Sequence, residues 1–253
     1  MAARCEAAVI LAAGWGSRIQ SLSVDGAPIS KPLIPLKGQP MIARVIRTLA
    51  KAGIRRVVVV TGYLRERVET LVHMLGPQLK IKVDTIYNPR WDDLANGVSA
   101  LAAEPLVEEP FLLSMSDHAF DLGIVASLVA EGPRDMAVRL CIDRKIDQVF
   151  DLDDATKVKT EGERIVAIGK NLTDYNAVDI GLFSCLPEIF GTLSAAFAEK
   201  GDCSLSDGMR RLGEAGRFGY FDVGAALWQD ADTVETLRHA EMMLDKGLIR
   251  FPD

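Results

Sequence analysis

The chain has 253 residues, 49% of them apolar and 25% charged, with a net charge of −6. That composition excludes a disordered or fibrous chain, and the length suits one large α/β domain, or one with a small lobe, burying roughly 70–75% of its unfolded surface. No basic run with interleaved aromatics points to nucleic acid, no apolar run approaches the ~18 residues of a membrane span, and no Cys-x-x-Cys pair marks a zinc site.

The first element is the unbroken apolar run Ala7 to Leu11, which reads as a buried parallel strand. The loop after it, Leu11-Ala12-Ala13-Gly14-Trp15-Gly16-Ser17-Arg18, has two glycines that let backbone approach a polyanion closely. Arg18 brings a fork of donors for phosphate oxygens, and Lys31 a compact point charge. Pro32 biases Lys31 towards an extended conformation on a loop. A third glycine is missing at Ile19, which argues against a dinucleotide loop, and Gly-Lys-Ser/Thr is absent, which argues against a Walker P-loop. Strand, Gly-x-Gly-x-Arg loop and Lys-Pro together are what a nucleoside triphosphate site needs.

Pro40 to Ala50 is predicted as a helix stopped by Gly53, and Arg56 to Thr61 as a buried strand closing on Gly62. A second helix spans Leu64 to Leu75, and a third strand Ile81 to Tyr87. Alternation of this kind predicts a parallel sheet that gathers ligands at the carboxyl ends of its strands. Asn96 stands where it caps a helix through Leu101, and Asn96, Gly97 and Ser99 alternatively offer hydrogen bonds to the edge of a pyrimidine base. Phe111 to His118 is a buried strand closing on Asp117, a carboxylate well placed for a metal, with capping by Ser116 or Asp117 the competing reading. His118 is assigned no role.

From Met136 the pattern becomes β-rich. A strand to Ile142 is followed by a hairpin, Thr156 to Thr160 and Arg164 to Ile168 around Glu161-Gly162-Glu163, and then by a strand from Asn176 to Phe183. This part reads as the acceptor side, with Lys157 and Lys170 as candidate phosphate ligands and Asn176 and Asp179 as candidate hydroxyl ligands; a solvated surface role stays open for each. Helices over Pro187 to Glu199 and Leu205 to Ala215, a strand Phe218 to Val223 and a last helix from Val234 complete the chain. Asp232 reads as the cap of that last helix, whereas Asp230 has no evident structural job.

These motifs fall in one order along nearly the whole chain. The glycine loop, Lys31-Pro32-Leu33, Asn96-Gly97-Val98-Ser99, Met115-Ser116-Asp117-His118, Asp154-Ala155-Thr156-Lys157-Val158, Ile168-Gly169-Lys170, Asn176-Ala177-Val178-Asp179 and Trp228-Gln229-Asp230 together resemble the cytidylyltransferase part of the enzymes making CDP-inositol from CTP and inositol 1-phosphate. The resemblance implies a single α/β nucleotidyltransferase domain over 1–253. Its Rossmann-like (GT-A-like), mostly parallel sheet would carry helices on both faces, with a nucleotide half over 1–135 and an acceptor half, including a small β-rich lobe, over 136–253. It implies that Leu11, Ala12, Ala13, Gly14, Gly16, Ser17 and Gly62 bind nucleotide and that Arg18 and Lys31 are catalytic. It further implies Mg²⁺ bridging nucleotide oxygens to Asp117 and Asp230.

In many members this part is fused to a membrane-embedded CDP-alcohol phosphotransferase. The sequence reads instead as a stand-alone, cytoplasmic cytidylyltransferase that hands its product to a membrane enzyme. Phosphocholine or a sugar 1-phosphate as acceptor, and a non-catalytic nucleotide-binding regulatory domain, are the alternatives.

Overall fold

The computed structural model describes residues 4–22 and 27–252. In the first half the elements run β1 (Ala7–Ala12), β2 (Pro35–Leu36), β3 (Gln39–Pro40), α1 (Met41–Ala52), β4 (Arg56–Thr61), α2 (Arg65–Leu79), β5 (Lys82–Tyr87), α3 (Asn96–Ala102), β6 (Phe111–Met115), β7 (His118–Phe120) and α4 (Leu122–Glu131). The second half adds β8 (Val138–Asp143), β9 (Lys157–Glu161), β10 (Arg164–Gly169), β11 (Ala177–Cys185), α5 (Glu188–Lys200), α6 (Leu205–Glu214), β12 (Phe218–Asp222), β13 (Trp228–Asp230) and α7 (Val234–Asp245).

The side chains of β1 explain the layering. Ala7, Val9 and Leu11 enter one core, and Ala8, Ile10 and Ala12 the other, so the strand is apolar throughout because both of its faces are covered. Helices α1, α2 and α4 bury their apolar faces in the second of these cores, while α3, α5 and α6 cover the first. β4 and β6 flank β1 in parallel, and β5 extends the sheet beyond β4.

Beyond β6 the sheet changes character. β11 enters antiparallel between β6 and β8, β12 runs parallel to β8, and the β9–β10 hairpin follows, giving a nine-stranded order β5-β4-β1-β6-β11-β8-β12-β10-β9. β9 also pairs back onto the start of β11, so the β-rich lobe closes into a ring and shares one sheet with the nucleotide half. The α/β sheet with helices on both faces is as expected, parallel in its first half and mixed in its second.

A third, smaller core lies under α7. Leu237, Ala240 and Met243 pack there with Ile19, Ile34, Leu36 and Met41. Ile19 and Ile34 are fully buried, each contributing roughly 1.5–3 kcal/mol of hydrophobic stabilisation. Those two residues stand beside Arg18 and close to Lys31, so this core pins the turns that carry both cations. Among the described residues no helix is long and apolar enough to cross a membrane.

Candidate active site

The loop after β1, Gly62 after β4 and Asp117 after β6 all lie at the carboxyl ends of adjacent parallel strands. Gly16 has a φ of +70°, and a Cβ there would come within 2.6 Å of the Lys31 Cβ. Glycine is therefore required both for its backbone and to let Lys31 lie against the loop. At Gly62 an added Cβ would meet the Ala13 carbonyl at 2.4 Å, and the neighbouring Tyr63 amide donates to that same carbonyl at 2.9 Å. A short 3-10 helix, Ser17–Leu22, carries Arg18. Lys31 opens another, Lys31–Leu33, correcting the expected extended loop: the Leu33 and Ile34 amides donate back to the Ser30 and Lys31 carbonyls, which closes the turn.

The expected single strand to His118 is broken by a bend. Asp117 stands at the corner between β6 and β7, and β7 pairs with β13 so that His118 faces Asp230 across the ladder. The segment around Asp230 is therefore a short strand held by that pairing. Lys31 forms ion pairs with Asp117 and Asp232, and Arg18 Nη2 donates to Asp232 at 2.8 Å. Asp232 is not the cap of α7: Thr233 accepts from the Thr236 amide in a capping box, leaving the Asp232 carboxylate for the two cations. Sequence reasoning missed Asp232 because a preceding aspartate and a true cap look alike. His118, given no role, donates from Nδ1 to Asp117 Oδ1 at 2.6 Å and stacks on Trp228.

These contacts set the charges. Burial works to raise Asp117, yet Lys31 and His118 together hold its carboxyl well below the usual carboxylate range. Burial above all, and then the charge of Asp117, push Asp230 upward against the pull of His118 and Lys31. Two neighbouring carboxylates, one raised partly by the other, are the donor set that a hard divalent cation relieves. Among the described residues no three His, Cys, Asp or Glu side chains form a metal-holding group by themselves, so further oxygens would have to come from ligand or water.

A cavity of about 260 Å³ opens beside this cluster, and its lining includes Asp117, His118, Trp228 and Asp230 together with Lys170 and Asp179. A bulge in β11 forms its wall: Gly181, φ +74°, lies where the register shifts, and its amide donates to Asp179 Oδ1 at 2.6 Å. Burial pushes the Asp179 carboxyl up to about 6, against that hydrogen bond and the charge of His118. Lys170 Nζ reaches Asp154 at 2.7 Å.

Other expected ligands are engaged elsewhere. Lys157 is buried on β9, where its ammonium donates to the Asp153 carbonyl at 2.9 Å. Asn176 clamps Thr160, accepting from its amide at 2.9 Å and donating to its carbonyl at 3.0 Å, as an extra rung of the hairpin would. Neither lines the cavity.

The residues expected to read the base are engaged in packing as well. Ser99 is buried and accepts from Asn88 at 2.9 Å, and a Cβ on Gly97 would strike the Cys203 carbonyl at 2.6 Å. Asn96 accepts from the Leu205 amide at 3.0 Å and borders the cavity of the acceptor half. Close packing of α3 on the loop before α6 explains Asn96 and Gly97, whereas Ser99 is held by Asn88 just past β5. Beside the glycine loop lies a different cleft, lined by Trp15, Gly16, Ser17, Tyr63, Trp91 and Asp92. Tyr63 stands between the two indoles, at ring distances of 6.1 and 5.4 Å. The half-exposed Trp15 inside the glycine loop was the signal for it.

Comparison with known proteins gives a consistent picture. Residues 8–152 match the MobA-like NTP transferase domain. The chain is 32% identical over 249 residues to the bifunctional IPC transferase and DIPP synthase of Thermococcus kodakarensis, covering 97% of this chain and 52% of that protein. It is 34% identical over 241 residues to the protein of the same name from Rubrobacter xylanophilus, covering 94% and 51%. The chain thus spans about half the length of these relatives. Among solved structures, the inositol-1-phosphate CTP transferase from T. maritima superposes with a TM-score of 0.82 at 25% identity, covering 98% of this chain and 99% of that one.

Proposed function

The chain belongs to the MobA-like NTP transferase family, and we propose that it transfers CMP from CTP to inositol 1-phosphate, releasing pyrophosphate. The observation that carries this reading is the convergence of Arg18, Lys31, Asp117 and Asp230 at one edge of the sheet, beside a cavity reaching into the acceptor half. The name of the structural relative from T. maritima supplies the choice of CTP and inositol phosphate.

No covalent enzyme intermediate is needed, since an acceptor phosphate oxygen attacks the α-phosphorus directly. The protein's work is then positioning and charge neutralisation. The backbone from Leu11 to Ser17 cradles the triphosphate, with Gly14 leaving room for its oxygens and Gly16 for Lys31. Arg18 holds the departing pyrophosphate. Lys31, steadied between Asp117 and Asp232, stabilises charge growing at the α-phosphate. Asp117 and Asp230 would hold Mg²⁺, which when bound supplies charge neutralisation on the nucleotide oxygens.

Lys170 takes the acceptor phosphate and Asp179 a ring hydroxyl. The cleft of Trp15, Tyr63 and Trp91 offers aromatic faces for the cytosine, since base–aromatic stacking contributes about 1–3 kcal/mol per base. The product is a substrate for a membrane-embedded CDP-alcohol phosphotransferase, which makes such an enzyme the expected partner.

A pyrophosphate-release assay over CTP, UTP, ATP and GTP against inositol 1-phosphate, phosphocholine and glucose 1-phosphate tests the reading. Release with CTP and inositol 1-phosphate well above every other pair is expected. Preference for UTP with glucose 1-phosphate would make the chain a sugar-nucleotide enzyme. No release from any pair would favour a regulatory nucleotide-binding domain.

A further inference from the structure

Asp154 has no part in the mechanism above, yet its one carboxylate holds two of the phosphate-binding cations. Oδ2 accepts from Arg18 Nη1 at 2.9 Å, and Oδ1 accepts from Lys170 Nζ at 2.7 Å. Arg18 comes from the loop after β1 and Lys170 from the end of β10, so this contact joins the two halves of the cleft. Asp154 sits in the segment 144–156, part of which lines the cavity, and Phe150 of the same segment stacks on His239 of α7 at 4.2 Å. The result is a row of alternating charge, Lys170–Asp154–Arg18–Asp232–Lys31–Asp117.

We propose that Asp154 is a positioning residue that stands in for substrate phosphate between Arg18 and Lys170, and that its displacement couples the two substrate sites. The proposal rests on the reading of Arg18 as a nucleotide ligand and Lys170 as an acceptor ligand. A triphosphate on Arg18 brings several negative charges beside Asp154, and the carboxylate is repelled from its place. Because the same carboxylate serves both cations, its departure also frees Lys170. The first substrate therefore breaks both ion pairs, and the second finds its cation already free. Coupling of this kind is positive, and it is the same whichever substrate comes first.

The test is calorimetric titration with Mg²⁺, the unreactive α,β-methylene analogue of CTP, and inositol 1-phosphate. Each ligand is titrated alone and in the presence of the other, for the native chain and for Asp154→Asn. In the native chain each ligand is expected to tighten the other about five-fold, the scale set by half-exposed ion pairs. In Asp154→Asn each ligand alone should bind about five-fold tighter, and the mutual effect should fall close to one. A purely structural tie predicts the reverse, weaker binding of both ligands by the variant. That outcome, or full coupling retained in the variant, would overturn the proposal. A native chain that binds the two ligands independently overturns the coupling alone. One that binds neither overturns the functional reading together with it.

Discussion

The two halves of the cleft are built differently. In the nucleotide half, the cations stand on tight turns whose neighbours, Ile19 and Ile34, are locked into a core. In the acceptor half, the candidate ligands hang from strands and loops, where each long polar side chain can serve either the cavity or the lobe's own backbone. Lys170 and Asp179 line the cavity, whereas Lys157 ties down the segment before β9 and Asn176 braces the hairpin. A ligand set fixed by backbone constraints leaves a motif in the sequence. One fixed by strand register and side-chain direction leaves only residue types.

The largest effect that would break or sharpen this contrast belongs to Lys31. Lys31→Ala should lower kcat about 10²–10³-fold, the loss of roughly 3–4 kcal/mol for one transition-state contact, with CTP binding nearly unchanged. Normal kcat with weaker CTP binding would turn Lys31 into a binding residue and blur the distinction between the halves.

Next in size come the carboxylates. Asp117→Asn and Asp230→Asn should each strongly lower Mg²⁺-dependent turnover while leaving the circular dichroism spectrum and cooperative melting intact. Titration with Mn²⁺ followed by electron paramagnetic resonance, in the presence of CTP, should show metal affinity lost in both. Undiminished Mn²⁺ binding in either variant would remove that residue from the metal pair.

Within the acceptor half, Lys170→Ala should raise the KM for inositol 1-phosphate about ten-fold, the loss of a charge-assisted contact, and leave that of CTP nearly alone. Lys157→Met should leave both KM values unchanged and shift only the melting temperature. If the two lysines exchange behaviour, the structural assignment of the hairpin fails.

What was legible in the sequence follows the same division. β1, the glycine loop, Arg18, Lys31 and the buried strand just ahead of Asp117 could be read from composition and spacing because close backbone approach demands particular residues there. Gly16, tucked against Lys31, is the clearest case. Asp232 and Asp154 could not be read in this way. Each is an ordinary loop aspartate in sequence, and only the fold brings it to Arg18 across more than a hundred positions. Asn96 and Gly97 are hard to read for a related reason, since packing of one helix against a distant loop looks, in sequence, like a polar binding edge.

The last expected effect, on stability rather than on turnover, concerns Asp179. Its carboxyl is raised to about 6 in the folded chain by burial, above the ~3.9 of an unfolded aspartate. The folded state therefore holds the proton longer, and stability falls as pH rises from about 4 through 6. Asp179→Asn lacks this loss, so it should match the native chain in stability near pH 4 and exceed it by up to about 3 kcal/mol above pH 7. Denaturant unfolding across that range measures it. A constant difference at all pH values would mean that Asp179 stays ionised in the cavity.

The most direct test of the central claim is ³¹P NMR of the purified chain incubated with Mg²⁺, CTP and inositol 1-phosphate labelled with ¹⁸O in its phosphate. The account predicts a new diphosphate diester, CDP-inositol, with an inositol-derived ¹⁸O bridging its two phosphorus atoms, and an equal amount of unlabelled pyrophosphate. Free CMP in place of the diester, or an unchanged spectrum under conditions where CTP binds, would contradict it.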